Sequence, residues 1–519
     1  MRVLSEQRSK LRVSVTGGDV LGVREGEVDS WRGIPYAAPP VGDLRYRSPA
    51  PVVPWDGVRD ATRFGAEAPQ TLRRRLRGAP SSYASDEDCL SVNVQTPADV
   101  DGPLPVLVFI HGGGYSQGSS REFSGQGQSF VLCRRAVYVS FNYRLGPLGY
   151  LDFTRYSTPE RPIESNLGLR DQVAVLRWVR DNIAGFGGDP DNVTVFGESA
   201  GGNAVVTLLA TPSAEGLFAR AIAQSAPPSA VYPPAQTGEW AAEFIQILRG
   251  LVPSPVPEDD HDLLVGARVS DLLNACLVLQ VRTPDAYPGM FCLAPVIDGE
   301  FLPEHPMDAV RAGRAHRVPL IIGTNEREGS IFRGRVDILP RSPSRIDSLF
   351  TRAPAASRPR MRKAYPGLPG RRPAADFGGD YGFWYPSIRV ADFHSAFAPV
   401  HVYRFDFAPR LLRLVGLDAT HGVEMFALFD RMDVPLARAI TSLGGSELYA
   451  DAGERMREHW LTFAERGEVD GWPSYTERSR MTLIINDEDR IEEDPHRAQR
   501  RAWNLFLPEF GQTIRQLPV

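Results

Sequence analysis

The segment NVTVFGESAGGNAVVTLLA, residues 192–210, constrains the fold of this chain more tightly than any other stretch. NVTVFG reads as a buried strand and the apolar run after GES as a helix, so the chain must turn from one to the other within a few residues. A turn that tight brings strand and helix so close that a side chain at Gly197 or Gly201 would collide with its neighbours. The residue at its apex, Ser199, is thereby thrust into the open as a candidate nucleophile. A chance G-x-S-x-G in a loop would seldom have both flanking elements.

Elements of the same kind surround it. LPVLVFI (104–110) is a short, continuous apolar run, the pattern of a strand covered on both faces. AVYVSFNY (136–143) reads as a second such strand, and LRDQVAVLRWVRDNIAGFGG (169–188) has helical apolar spacing with a glycine stop. Strand, helix and strand in this order predict a right-handed parallel crossover, the building unit of an open α/β sheet. RAIAQS, VPLIIGT and VHVYRFDF predict further strands, separated by long insertions. WRGIPYAAPPVGDLRYRSPAPVVP (31–54) reads as an extended, turn-rich surface segment, and Arg341–Arg372, where periodicity is weakest, as a mobile loop or part of a lid. With 42% hydrophobic and 23% charged residues, the 519-residue composition is globular, and residues 1–519 are expected to form one large catalytic domain.

An isolated serine hydroxyl is a poor nucleophile and needs a base, itself oriented by a third group. The LPVLVFI strand ends abruptly at His111-Gly112-Gly113-Gly114, where glycine N–H groups can turn toward a negative oxygen with no Cβ in the way. Gly113, Gly114 and Ala200, the residue after the candidate nucleophile, are the expected oxyanion donors. The formal charge of −5 gives no reason to expect nucleic acid as a partner. No apolar stretch approaches the roughly 20 residues needed to span a bilayer, so no stable membrane insertion is expected. The charged N-terminus lacks the apolar core of a secretory signal. Four cysteines without metal-ligand spacing argue against zinc, and neither metal nor organic cofactor is expected.

Beyond single motifs, the chain resembles the type-B carboxylesterase family, which includes cholinesterases, mammalian carboxylesterases and bacterial para-nitrobenzyl esterases. The resemblance rests on RGIPYAAPPVGDLRY, EDCLSVNV, HGGGY, SFNYRLGPLGYL, NLGLRDQ, FGGDPDNVTVFGESAGG, PVIDGEFLP and GTNEREGSIF, spread almost end to end. It implies an α/β-hydrolase fold: a large, mostly parallel central sheet flanked by helices, with long insertions forming a substrate gorge. It also implies a serine carboxylesterase acting on a small-molecule ester, with Glu328 as the catalytic acid and His421 as the base. Both follow expected strands, where α/β sites collect, and Glu326 is the competing acid. Of the other histidines, His459 falls in a helical pattern and His401 inside a strand. Arg45 with Glu87 and Arg144 with Asp171 are implied as fold-stabilising pairs. A lipase, a carbamate or amide hydrolase, and a noncatalytic binding protein of the same fold are the alternatives.

Two departures bear on the substrate. Many relatives have a cysteine, bonded to the one in EDCL, where this chain has Ala68, which leaves Cys89 without that partner and fits a reducing, cytoplasmic setting. The loop QTLRRRLRGAPSSYASDE also lacks the tryptophan that packs against choline in cholinesterases, which argues against choline esters. Its Arg73, Arg74, Arg75 and Arg77 read as a solvated charge run. Glu198, Met290, Phe291, Phe383 and Trp384 are candidates for the substrate pocket.

Overall fold

The computed structural model describes residues 11–70, 85–99, 102–332 and 337–507. In chain order its strands are β1 (Arg12–Val15), β2 (Gly18–Leu21), β3 (Val23–Glu25), β4 (Val28–Pro35), β5 (Val58–Asp60), β6 (Ser91–Pro97) and β7 (Leu104–Ile110). They continue with β8 (Val137–Phe141), β9 (Gly188–Glu198), β10 (Arg220–Gln224), β11 (Leu320–Asn325), β12 (Val400–Phe405), β13 (Met481–Ile485) and β14 (Arg490–Glu493). Eleven strands form one sheet in the order β14-β13-β12-β11-β10-β9-β7-β8-β6-β4-β3, while β1, β2 and β5 form a small separate one. From β8 to β13 the pairings are parallel, and the outer strands add antiparallel edges.

The apolar runs explain this arrangement. In β7, Val106, Val108 and Ile110 belong to one buried cluster while Leu107 and Phe109 belong to another on the opposite face. A strand covered on both faces has no solvated side, so its sequence shows no polar alternation. The Leu167–Asn182 helix carries the chain from β8 across β7 to β9. The strand order therefore reverses between β7 and β9, and a crevice opens outside their carboxyl ends, where ligands bind in open α/β sheets. Among the described residues no single helix is long and apolar enough to cross a membrane.

Two expectations are corrected. Residues 31–35 are not a surface segment but part of β4, with Trp31 and Ile34 buried, and β4 accommodates its glycine through a register shift between those two residues. The Arg341–Arg372 stretch is not a loop: it forms the Pro343–Arg352 and Arg358–Ala364 helices and enters the Arg371–Gly379 helix. Ser342 caps the first by accepting from the Arg345 N–H, Pro343 takes the first turn, and Ile346, Leu349, Phe350 and Met361 are buried. The helices are short and proline-interrupted, so their apolar spacing is too brief to stand out when the sequence is read alone.

Candidate active site

Ser199 sits between β9 and the Ala200–Leu208 helix with φ 59° and ψ −121°, a conformation that costs a non-glycine residue about 1–3 kcal/mol. The turn is held from both sides: the Ser199 N–H donates to the Gln224 carbonyl and the Ser199 carbonyl accepts from the Asn203 N–H, each at 2.9 Å. The flanking glycines are required by space. A Cβ on Gly201 would lie 2.0 Å from the Ile110 carbonyl oxygen, and one on Gly197 would lie 2.6 Å from the Gly201 carbonyl carbon.

Glu328 and His421 come from loops beyond β11 and β12. The Ser199 hydroxyl oxygen is 2.9 Å from His421 Nε2, and His421 Nδ1 is 2.5 Å from Glu328 Oε2. With the imidazole proton on Nδ1, Nε2 is left to accept from the serine. The other oxygen of Glu328 accepts from the Ser225 hydroxyl and from the Asn325 N–H, both at 2.6 Å, which fixes the carboxylate rotamer. Glu326, two residues earlier in the same loop, is exposed. Neither Ser225 nor Asn325 was marked by the sequence; the one available signal was their position at the carboxyl ends of β10 and β11.

The glycine loop after β7 lies against the same turn. Gly113 (φ 112°) and Gly114 (φ 61°) adopt backbone conformations open chiefly to glycine, and a Cβ on Gly113 would lie 2.1 Å from the Gln117 carbonyl oxygen. Tyr115 next to them donates to Asn203 Oδ1 at 2.5 Å, and Asn203 donates onward to the Pro227 carbonyl at 2.7 Å. The loop is thereby fastened to the helix that follows Ser199. Beneath it, His111 stacks on Tyr143 at 4.4 Å.

Gly113, Gly114, Ser199, Ala200 and His421 open onto a cavity of about 340 Å³ whose wall also includes Glu198, Met290, Phe291, Phe332 and Phe383. Phe332 and Phe383 pack on the imidazole, with ring centroids 5.2 and 4.6 Å away. Trp384 is a correction: it lines a different, smaller cavity and packs against His496 at 5.5 Å. In the π-helical turn Asp380–Trp384 neighbouring side chains project in different directions, and it is Phe383 that faces the imidazole. The arginine run at 73–77 lies outside the described residues.

Besides Glu328, two further carboxyl groups stand near the imidazole. Glu198 Oε1 is 3.3 Å from His421 Nε2, and Glu424, fully buried, accepts from Asn325 Nδ2 at 2.6 Å. Burial, opposed by the nearby imidazolium and aided by Glu328, raises Glu198 to about 7, and burial together with Glu198 and Glu328 raises Glu424 to about 8. Burial pulls the His421 pKa down, but Glu198 and Glu328 outweigh it and raise the imidazole to about 9. Glu424 was not singled out from the sequence, since a glutamate three residues beyond a histidine carries no signal until burial is known.

Both implied ion pairs are present. Arg45 meets Glu87 at 2.5 Å, and Arg144 meets the fully buried Asp171 at 2.7 Å. Cys89 is buried and free.

Comparison with known proteins agrees with this geometry. The sequence model described as the Carboxylesterase family matches residues 9–363. The chain is 35% identical to para-nitrobenzyl esterase of Bacillus subtilis (strain 168) over 508 residues, 96% of this chain and 99% of that protein. It is 31% identical to phenmedipham hydrolase of Pseudarthrobacter oxydans over 485 residues, 91% of this chain and 94% of that protein. A solved PNB esterase structure superposes with a TM-score of 0.83 at 34% identity, covering 96% of this chain and 99% of that one. The chain belongs to the carboxylesterase family and is a carboxylic-ester hydrolase of the α/β-hydrolase fold.

Proposed function

We propose that this protein is a serine carboxylesterase that works through an acyl-enzyme, with Ser199 as nucleophile, His421 as general base and acid, and Glu328 as the orienting carboxylate. The observation that carries this reading is the unbroken series Ser199 Oγ, His421, Glu328, with contacts of 2.9 and 2.5 Å, opening on the cavity. His421 Nε2 takes the serine proton as Oγ bonds to the ester carbonyl carbon, and the carbonyl electrons move onto oxygen. The N–H groups of Gly113, Gly114 and Ala200 bind that oxyanion. When the carbonyl re-forms, the C–O bond to the alcohol breaks and His421 returns the proton to the leaving oxygen. Water then repeats the sequence on the acyl-enzyme, releasing the acid and restoring Ser199. Side chains and backbone donors perform every proton and charge transfer in this scheme, so it calls for no metal or cofactor.

The apolar wall of Met290, Phe291, Phe332 and Phe383 suits a neutral ester with an apolar or aryl group on either side of the carbonyl. Residues 1–519 act as one catalytic domain in this reading. Four free cysteines fit a reducing compartment, the cytoplasm.

The test is turnover of 4-nitrophenyl esters of increasing acyl length by wild type and Ser199→Ala, with the pre-steady-state burst as measure of the acyl-enzyme. Wild type is expected to show a stoichiometric burst and greatest activity on short chains, and the variant to lose at least about 10⁴-fold in turnover. Absence of serine-dependent turnover on every ester overturns the proposal. Activity confined to concentrations above the ester's solubility limit assigns a lipase instead.

A further inference from the structure

The proposed acid and base stand on separate loops, 93 residues apart in sequence, yet their atoms must hold a 2.5 Å contact. A catalytic pair needs placement within roughly 0.5 Å, and two loops leaving different strands do not have that precision by themselves. Something must tie them together.

The residue before Glu328 supplies the tie. Arg327 is buried, with 7% of its side chain exposed, although its two sequence neighbours are both glutamates. Its Nη1 donates to Asp418 Oδ2 at 2.6 Å and to the Gly416 carbonyl at 3.1 Å, both in the loop that carries His421. Its Nε donates to Asp376 Oδ1 at 2.8 Å, on the Arg371–Gly379 helix. Its backbone N–H donates to the Ala419 carbonyl at 2.9 Å. Two residues past Glu328, the Ser330 hydroxyl meets the Leu417 carbonyl at 2.6 Å and Thr420 Oγ1 at 2.7 Å. The turn holding the acid is thus bonded on both sides to residues 416–420, immediately before the base.

The third partner reaches the imidazole from another direction. The helix bearing Asp376 packs so closely on the acid turn that a Cβ on Gly329 would lie 1.9 Å from the Ala375 carbonyl oxygen. It continues into Asp380–Trp384, from which Phe383 packs on His421. One guanidinium therefore holds the acid turn, the base loop and the helix that backs the imidazole. A guanidinium fork can serve these acceptors at fixed angles, whereas an ammonium concentrates its charge at a single point.

We infer that Arg327 is a positioning residue that sets the alignment of His421 between Glu328 and Ser199. This inference rests on the proposed catalytic roles of those three residues.

The experiment compares wild type, Arg327→Lys, Arg327→Met and the triple variant Arg327→Met/Asp376→Asn/Asp418→Asn, alongside Ser199→Ala. The triple variant also neutralises the two carboxylates that Arg327 serves, of which Asp418 would otherwise keep only the exposed Arg372, so that lost stability and lost alignment separate. For each, kcat per titrated active site, KM, Tm and the pH dependence of kcat/KM are measured with 4-nitrophenyl acetate. A displacement of the order of 1 Å corresponds to about 100-fold in rate. The triple variant is expected to keep a cooperative thermal transition and an unchanged KM while kcat falls about 10- to 100-fold. Its acid limb moves to lower pH as Glu328 loses its hold on the imidazolium, and Arg327→Lys recovers part of kcat. A folded triple variant with wild-type kcat per active site overturns the inference, as does an Arg327→Lys variant no better than Arg327→Met. An active Ser199→Ala control would instead overturn the catalytic reading beneath it.

Discussion

Replacing Glu198 by glutamine removes one charge from the site while keeping the shape of the side chain. Glu198 Oε1 lies 3.3 Å from His421 Nε2, and both side chains are largely buried, at 13% and 12% exposure. At that separation two unit charges attract by about 1.3 kcal/mol at the dielectric of water and about 5 kcal/mol at an effective dielectric near 20. Divided by 1.36 kcal/mol per pKa unit, these limits correspond to about 1 and about 4 units. The imidazole, raised to about 9, titrates above Glu198 at about 7, so Glu198 is ionised where His421 loses its proton and the full charge is felt. The sign follows from which form each step needs. Only neutral His421 accepts the serine proton, and the carboxylate favours the imidazolium. Glu198→Gln therefore moves the acid limb of kcat/KM to lower pH by at least about one unit. The plateau above the limb falls, because the imidazolium formed in the transition state loses the same carboxylate. The assay is kcat/KM for 4-nitrophenyl acetate from about pH 5 to about pH 10, normalised to titrated active sites. An acid limb that stays in place, or moves up, would refute the claim that Glu198 sets the charge of the imidazole.

Gly113→Ala forces a Cβ against the Gln117 carbonyl at a φ of 112°, so the loop must shift and withdraw a proposed oxyanion donor. Turnover should fall by about 10²- to 10³-fold with KM little changed, and a variant within a few-fold of wild type would remove Gly113 from the oxyanion assignment. Phe383→Ala should raise KM for aryl esters and lower kcat, since the ring both lines the cavity and backs His421; Trp384→Ala should leave KM for every ester unchanged and lower only Tm. Steady-state kinetics on a series of nitrophenyl and benzyl esters, with thermal melts, distinguishes the two.

The parts legible in the sequence were those whose cause is local. β7, β8 and β9 announced themselves because burial on both faces leaves short, mainly apolar runs rather than polar alternation, and Ser199 because a turn that close demands glycine at 197 and 201. What stayed hidden depends on contacts made across the fold. Glu326 and Glu328 are two residues apart in one loop, and neither spacing nor propensity separates them. The structure does so because one carboxylate points to solvent and the other is received by Ser225 and Asn325. Trp384 and Phe383 looked alike in composition and differ by one helical step. The helices between 341 and 372 went unread because they are short, about two to three turns each, and are punctuated by Pro354, Pro359, Pro366 and Pro369, so no apolar spacing runs long enough to stand out.

The order of strands explains why the proposed base needs more support than the proposed nucleophile does. Ser199 follows β9 directly, Ser225 follows β10 and Glu328 follows β11, so the proposed nucleophile, its brace and the proposed acid arise on three adjacent strand ends. His421 follows β12, three strands from β9, a separation of about 14 Å at 4.8 Å per strand. The imidazole must therefore be carried back across β11 and β10 to reach Ser199, and the stretch from Asp406 to Thr420 does so. A connection of that length, bearing a side chain that contacts both partners, would not keep hydrogen-bond tolerance on its own. The bonds from Arg327 and Ser330 to residues 416–420 fall at its far end, where a positional error would pass directly to the imidazole.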